Sequence, residues 1–400
     1  MADREPSRTF GRDQRATTTA LAVGFALVYG LTAEWSLKAN VDVIATALPA
    51  WSLVTKGTII LDAFAGLNPW LVESSYGIVS NRPPGLVLVA VPGYLLARPE
   101  GFTNAPATAM AIIATIGFLA VLHRLLLKVV DHRAAVIAVV TVGLGTATWN
   151  ISSNQLWPHG PGQLLAIAAL MAAASGRYLG TGAAMAVSLL VRPVTAVAAA
   201  VFGLLESLRT RRWGPALAVG VPTILALGGL LAYNRFLFGE WSIASGYAET
   251  FIDRLVSTAD TPYLVNLGRM FFSGTHGLFV WSPVVLVAAV GMVATWKSIP
   301  PWARSGTVAA VVYLLVHARL NRASAGAAFG YRYPLEALAL SAPALTIGAR
   351  WLANRSSLMR SLLVASILVS VAIQLALVFF QTCVPGPEFT VCSFVNGTTR

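Results

Sequence analysis

Long apolar runs broken by short polar connections recur along almost the whole chain, and the breaks tend to carry Arg, Lys, Pro or Gly. A bilayer core about 30 Å thick needs roughly 20 helical residues per crossing. No succession of short alternating strands appears, so helices rather than a barrel satisfy the backbone. The pattern predicts an all-α polytopic membrane protein with about eleven crossings. They fall at 17–36, 105–123, 134–150, 161–176, 181–192, 194–208, 214–233, 276–296, 305–318, 333–349 and 361–381, the short fifth and sixth forming a hairpin around Val191-Arg192-Pro193.

Two of the remaining segments are long. Residues 37–104 and 234–275 make two outer loops, while most connections on the other side are short and basic. Within the first loop, "VIATALPAWSLV" has the apolar pattern of a helix lying in the membrane interface. "PPGLVLVAVPGYLLA", residues 83–97, is short for a crossing and contains Pro92-Gly93. It is predicted as a tilted or re-entrant interfacial helix. The organisation expected is a polar tail over 1–16, one transmembrane domain over 17–381 and a second tail over 382–400.

Composition agrees: 56% of the 400 residues are hydrophobic and 11% charged, with a mean hydropathy of +0.70. The arginine-rich start "MADREPSRTFGRDQRA" precedes an uncleaved first span, with no small-residue cleavage pattern. The net charge of +12 is mostly a topology signal. Of 28 Lys and Arg, 16 fall on the side that holds the N-terminus, against five of the 16 acidic residues, so the two sides carry +11 and +1. The positive-inside rule makes the first side cytoplasmic. Nucleic acid is not an expected partner, and the membrane is a bacterial plasma membrane, with the C-terminus outside it. Cys383 and Cys392, the two cysteines, both lie in the outer tail, where a disulfide persists; the alternative is two unpaired thiols.

Ionisable residues at a membrane edge are costly and are usually functional or paired. Asp42 follows the first span, with Asp62, Glu73 and Arg82 later in the same loop. His159 stands in "QLWPHGPG", Arg192 in "LLVRPVT" and His276 in "FFSGTHGLF". "HARLNRASAGAAFGYRYPLEAL" adds His317, Arg319, Arg322, Tyr331, Arg332 and Glu336. A carboxylate facing several cations suits a reaction in which a hydroxyl is activated while a phosphate departs: the carboxylate takes the proton and the cations hold the developing charge. Each residue also has a plainer reading. Asp42 can pair an interfacial cation, Asp62 can close a turn, Arg82 can snorkel to headgroups, and His159, His276 and Tyr247 can simply populate the interface.

The stretches "VDVIATALPAWSLVTKGTIILD", "RPPGLVLVAVPGYLL", "GTATWNISSNQLWPHGPG", "LLVRPVTAVAA", "YNRFLFGEWSIASGYAET", "GLFVWSPVVLV" and "GAAFGYRYPLEALALSAPAL" cover most of the chain and resemble GT-C superfamily membrane glycosyltransferases. That resemblance implies a polyprenyl-phosphate sugar donor, with its lipid chain in the membrane, and transfer on the outer face to a glycan or glycolipid acceptor. It makes Asp42, early in the first outer loop, the catalytic base. Arg82, His159, Arg192, Tyr331 and Arg332, with Tyr247 and His276, would hold donor phosphate or acceptor. The paired Asp-Glu motif of protein mannosyltransferases is absent, since Asp42 stands between Val41 and Val43. The abundance of Ala, Val, Gly and Arg suggests a high-GC bacterium; the resembling enzymes of such organisms often use decaprenyl-phosphate arabinofuranose or mannose, and the resemblance inclines the donor toward arabinofuranose. No cofactor is implied. A divalent metal stays open, although no HExxH or carboxylate cluster supports one. Two rival readings remain: a transporter or flippase of lipid-linked sugars, and a non-catalytic subunit that binds a lipid-linked glycan.

Overall fold

The structure, a computed structural model, describes residues 11–36, 40–246, 262–320, 330–385 and 390–394, the last strands (381–385 and 390–394) as backbone only. It is mostly helical. In chain order the helices are α1 (Arg12–Thr32), α2 (Val41–Lys56), α3 (Pro84–Ala97), α4 (Ala105–Leu126), α5 (His132–Gly145), α6 (His159–Ala173), α7 (Tyr178–Val191), α8 (Thr195–Thr210) and α9 (Gly214–Phe238). Then come α10 (Tyr263–Phe272), α11 (Leu278–Trp281), α12 (Pro283–Ala294), α13 (Pro301–Leu320), α14 (Leu335–Arg355) and α15 (Ser357–Phe380). A helix, or a helix and its continuation, overlaps each predicted span. By length and composition, α4, α9 and α15 are able to cross a membrane.

The main core lies where α4, α6, α8, α13 and α14 meet, around Phe118, Leu122, Leu170, Phe202, Tyr313 and Leu340. Small residues allow the closest crossings, as expected where helices associate by packing rather than by water exclusion. Gly291 of α12 and Gly348 of α14 face each other so closely that a Cβ on either would run into the other's backbone.

Three local features differ from the sequence expectation. First, α2 is enclosed by other segments of the chain: residues 45–52 are all buried, against α3, α4 and the segments carrying Leu61, Leu71 and Leu156. Alanines on several faces let neighbours approach on every side, so its apolar pattern reports protein contacts. Second, the span predicted at 276–296 is broken at Ser282 (φ −147°, ψ 71°). The proline that follows has no amide N–H to donate and pushes the preceding residue out of the helical region. Third, the chain is not purely α. A hairpin, β1 (Leu71–Ser74) with β2 (Gly77–Ser80), folds inside the first long loop in the register Leu71 to Ser80. Its turn is tied down by Asp62, whose Oδ1 accepts the Ile78 amide at 2.7 Å, which is the turn role available to that residue. A second hairpin, β3 (Gln381–Pro385) with β4 (Thr390–Phe394), sets Cys383 opposite Cys392 along the backbone.

Candidate active site

Asp42 sits in the first turn of α2, next to the N-cap Asn40, whose Oδ1 accepts the Asp42 amide at 2.9 Å. A helix N-terminus favours a carboxylate there. Arg82 reaches it from the end of β2. Ser80 fixes that approach by donating its hydroxyl to the Ala45 carbonyl (2.6 Å) and accepting the Arg82 amide (3.2 Å). The Arg82 guanidinium then lies 4.5 Å over the Trp70 ring, donates Nε and Nη2 to Asn81 Oδ1 (3.1 and 3.0 Å) and places Nη1 3.0 Å from Asp42 Oδ1.

Arg332 closes the other side. Gly330, at φ 84°, turns the chain in the left-handed region just before it, and Arg332 Nη1 comes 3.3 Å from Asp42 Oδ2. The guanidinium stands over Trp157 at 4.7 Å and Tyr333 at 5.4 Å. Its Nε is buried with no partner among the described residues. Both carboxylate oxygens of Asp42 are thus engaged by guanidinium groups, yet Asp42, Arg82 and Arg332 keep 19%, 13% and 15% of their side chains exposed. The centre is partly open to a ligand.

A second, buried layer adjoins it. Arg192 caps α7 with its amide on the Ser188 carbonyl (2.7 Å) and precedes Pro193, so helix and charge end together. Its Nη1 donates to Glu336 Oε1 at 2.9 Å, and Nη2 donates to His317 Nε2 at 2.5 Å. Glu336, at the start of α14, also takes His159 Nδ1 on Oε1 (3.0 Å) and the Tyr313 hydroxyl on Oε2 (3.2 Å). Gly162 makes room: a Cβ there would lie 2.9 Å from Glu336 Oε1. Tyr333 joins the layers, stacked on His317 at 4.3 Å and lying under both Arg192 and Arg332. A fully buried carboxylate is tolerable only with such a set of donors.

Asp42, Arg82 and Arg332 therefore come together, and His159 and Arg192 stand directly behind them. Tyr331 does not join them. Its hydroxyl accepts the Ala147 amide (3.2 Å) and bonds Ser282 (2.8 Å), pinning the break before α12 to the end of α5; its neighbour Tyr333 is the ring that meets the arginines. His276 lies in the turn between α10 and α11, and Tyr247 falls outside the described residues. Tyr333, Trp70 and Trp157 were not nominated from the sequence, while His317 and Glu336 stood among its ionisable candidates without an assigned role. Glu336 had a signal, being a lone carboxylate in an otherwise apolar span. The aromatics had none, since such rings are common at any interface. Among the described residues no three of His, Cys, Asp and Glu gather as metal ligands. The two guanidinium groups on Asp42 make that carboxylate a poor host for a divalent cation.

A cavity of about 160 Å³ opens beside Arg82, lined by Asn81, Pro193, Tyr233, Asn234 and Leu320. It reaches from Arg82 to the end of α9 at Phe238.

The apolar helices suggest a membrane protein, and an arginine-clamped carboxylate stands at helix ends within it. No protein-family model matches the sequence, and no curated protein matches it either. Solved structures do match by shape. The oligosaccharyltransferase AglB from Archaeoglobus fulgidus, in complex with an inhibitory peptide and a dolichol-phosphate, superposes with a TM-score of 0.53 at 11% identity over 92% of this chain and 56% of that one. The apo form of the same organism's oligosaccharyltransferase gives 0.57 at 12% identity, again over 92% and 56%. ArnT from Cupriavidus metallidurans, also apo, gives 0.51 at 14% identity over 91% and 76%. Both neighbours are GT-C fold glycosyltransferases, so the fold here is GT-C-like. The chain spans little more than half the length of the archaeal enzymes it matches.

Proposed function

We propose that the protein is a bacterial plasma-membrane glycosyltransferase that moves a sugar from a polyprenyl-phosphate donor to a hydroxyl of a cell-envelope glycan or glycolipid on the outer face. Arabinofuranose is the preferred sugar. The observation that carries this reading is Asp42 held between Arg82 and Arg332 in a partly open centre on a GT-C-like fold.

The chemistry follows from those groups. The acceptor oxygen attacks the anomeric carbon as its proton passes to the Asp42 carboxylate. The bond from that carbon to the phosphate oxygen breaks, and polyprenyl phosphate leaves with the electron pair. In-line displacement inverts the anomeric centre. An arriving phosphate competes with Asp42 for the guanidinium forks of Arg82 and Arg332, which match its geometry. Binding of donor thereby releases the carboxylate to act as base, and the unpartnered Arg332 Nε supplies one more hydrogen bond to the anion. Arg192, His159 and Glu336 support Arg332 through Tyr333. The small cavity beside Arg82 receives part of the donor or acceptor.

Purified protein given candidate polyprenyl-phosphate sugars and acceptor glycans tests this. Wild type should release polyprenyl phosphate, and Asp42→Asn should not; undiminished transfer by the variant would refute the base. A transporter of lipid-linked sugars is favoured by two observations, the break at Ser282 and the buried charges around Glu336, because broken helices and buried polar centres also serve transport. Movement of intact donor between leaflets, with no release of polyprenyl phosphate, would establish that alternative.

A further inference from the structure

A second and larger cavity lies away from Asp42. It encloses about 630 Å³ between α5, α12, α14 and α15. Its walls are aliphatic, with Ile137, Val142, Val285, Ala342, Leu345 and Leu363 among them. One end is blind: the close approach of Gly145 on α5 to Ser370 on α15, where a Cβ on the glycine would lie 3.4 Å from the serine Cβ, brings these helices together. Towards the other end Ile137 and Val364, both lining the cavity, are 47% and 48% exposed. The α14 wall runs from Leu338 to Asn354, ~24 Å at 1.5 Å per residue.

The open end is cationic. Arg133, Arg350 and Arg360 line it with a single carboxylate, Asp131. Arg350 Nε pairs with Asp131 Oδ2 at 2.9 Å, and Arg360 Nε is held by the Ala353 carbonyl at 2.8 Å. Three guanidinium groups against one carboxylate leave this mouth positive, on the face that charge asymmetry assigns to the cytoplasm. Apolar walls that face no protein require an apolar occupant, and anionic lipids are concentrated in the cytoplasmic leaflet.

We propose that this groove binds one anionic glycerophospholipid of the inner leaflet, with an acyl chain along α14 and the phosphate headgroup at Arg133, Arg350 and Arg360. The blind end suits a single chain of limited length, and the positive mouth selects against a headgroup with no net charge. The site is separate from the Asp42 centre and does not depend on a transferase reading.

Native mass spectrometry of the full chain in neutral detergent, with added dioleoylphosphatidylglycerol, dioleoylphosphatidylcholine or undecaprenyl phosphate, tests the assignment. One phosphatidylglycerol should be retained in preference to both others and should raise Tm. Arg133→Gln combined with Arg360→Gln should weaken that retention by roughly fivefold per arginine, leaving the Arg350 to Asp131 pair intact. Ala349→Phe, which fills the groove, should abolish retention; Ala138→Phe on the facing wall repeats the test if the first substitution lowers the lipid-free Tm. Equal retention of the choline lipid, preference for undecaprenyl phosphate, or retention undiminished by both the arginine and the groove-filling variants would overturn the proposal.

Discussion

Two carboxylates in adjoining layers, each paired with arginine, stand in opposite surroundings. Asp42 is clamped but partly open, while Glu336 is buried and saturated by Arg192, His159 and Tyr313. Asp42→Asn is expected to lower transfer by at least ~100-fold, the typical contribution of a general base, with little change in Tm; initial rates and a melting curve on one preparation check both. Glu336→Gln should instead lower stability by about 3 kcal/mol, since it strands a buried cation, and detergent-phase denaturation reads the loss. Arg332→Lys keeps the charge but loses the planar fork and the stacking over Trp157 and Tyr333. It should raise the donor KM by roughly tenfold, measured as the split between KM and kcat. At this scale Asp42, Arg82 and Arg192 were legible, because a charge next to or inside an apolar run stands out. Tyr333 was not legible: along "YRY" the sequence cannot say which ring turns inward to Ser282 and which outward to the arginines, a choice made by the packing around residue 282.

Helices were legible wherever an apolar run had the required length. Their interruptions were less so. The span expected over 276–296 ran through Pro283, where the helix breaks, whereas Pro49 and Pro92 lie inside continuous helices, so proline alone did not decide. The crossing of α12 and α14 at Gly291 and Gly348 gives a direct test. Gly348→Leu should cost about 2 kcal/mol or more through overpacking, whereas Gly228→Leu, where a Cβ would meet nothing within 4 Å, should be nearly neutral; Tm values of the two variants compare them. At the start of α5, Asp131 accepts the Ala134 amide at 3.0 Å. That bond, and then Arg350, hold its carboxyl below the ordinary value of 3.8. A lowered pKa in the folded state stabilises above the unfolded value and the contribution disappears as pH falls through the folded one. Asp131→Ala should therefore lower Tm slightly at pH 7, by the equivalent of less than about 1 kcal/mol for a half-exposed cap, and the difference should vanish in acid.

Across the whole molecule, the charge split of +11 against +1 predicts that a cysteine placed at Thr210 is protected from a membrane-impermeant maleimide in intact cells, while one placed at Tyr76 is labelled. Labelling of both, or the reverse pattern, would turn the orientation over. Periodicity and length sufficed for a helical membrane protein and for most helix positions, because hydrophobic burial and backbone hydrogen bonding act over one or two turns of local sequence. The sequence alone also marked the charges that a membrane would not hold idly. Only the tertiary structure decided that α2 is enclosed, that a hairpin delivers Arg82, and that Asp42 meets Arg332 across 290 positions. Such a meeting depends on how several helices cross, which is settled by small-residue contacts and buried ion pairs between segments that no local pattern connects.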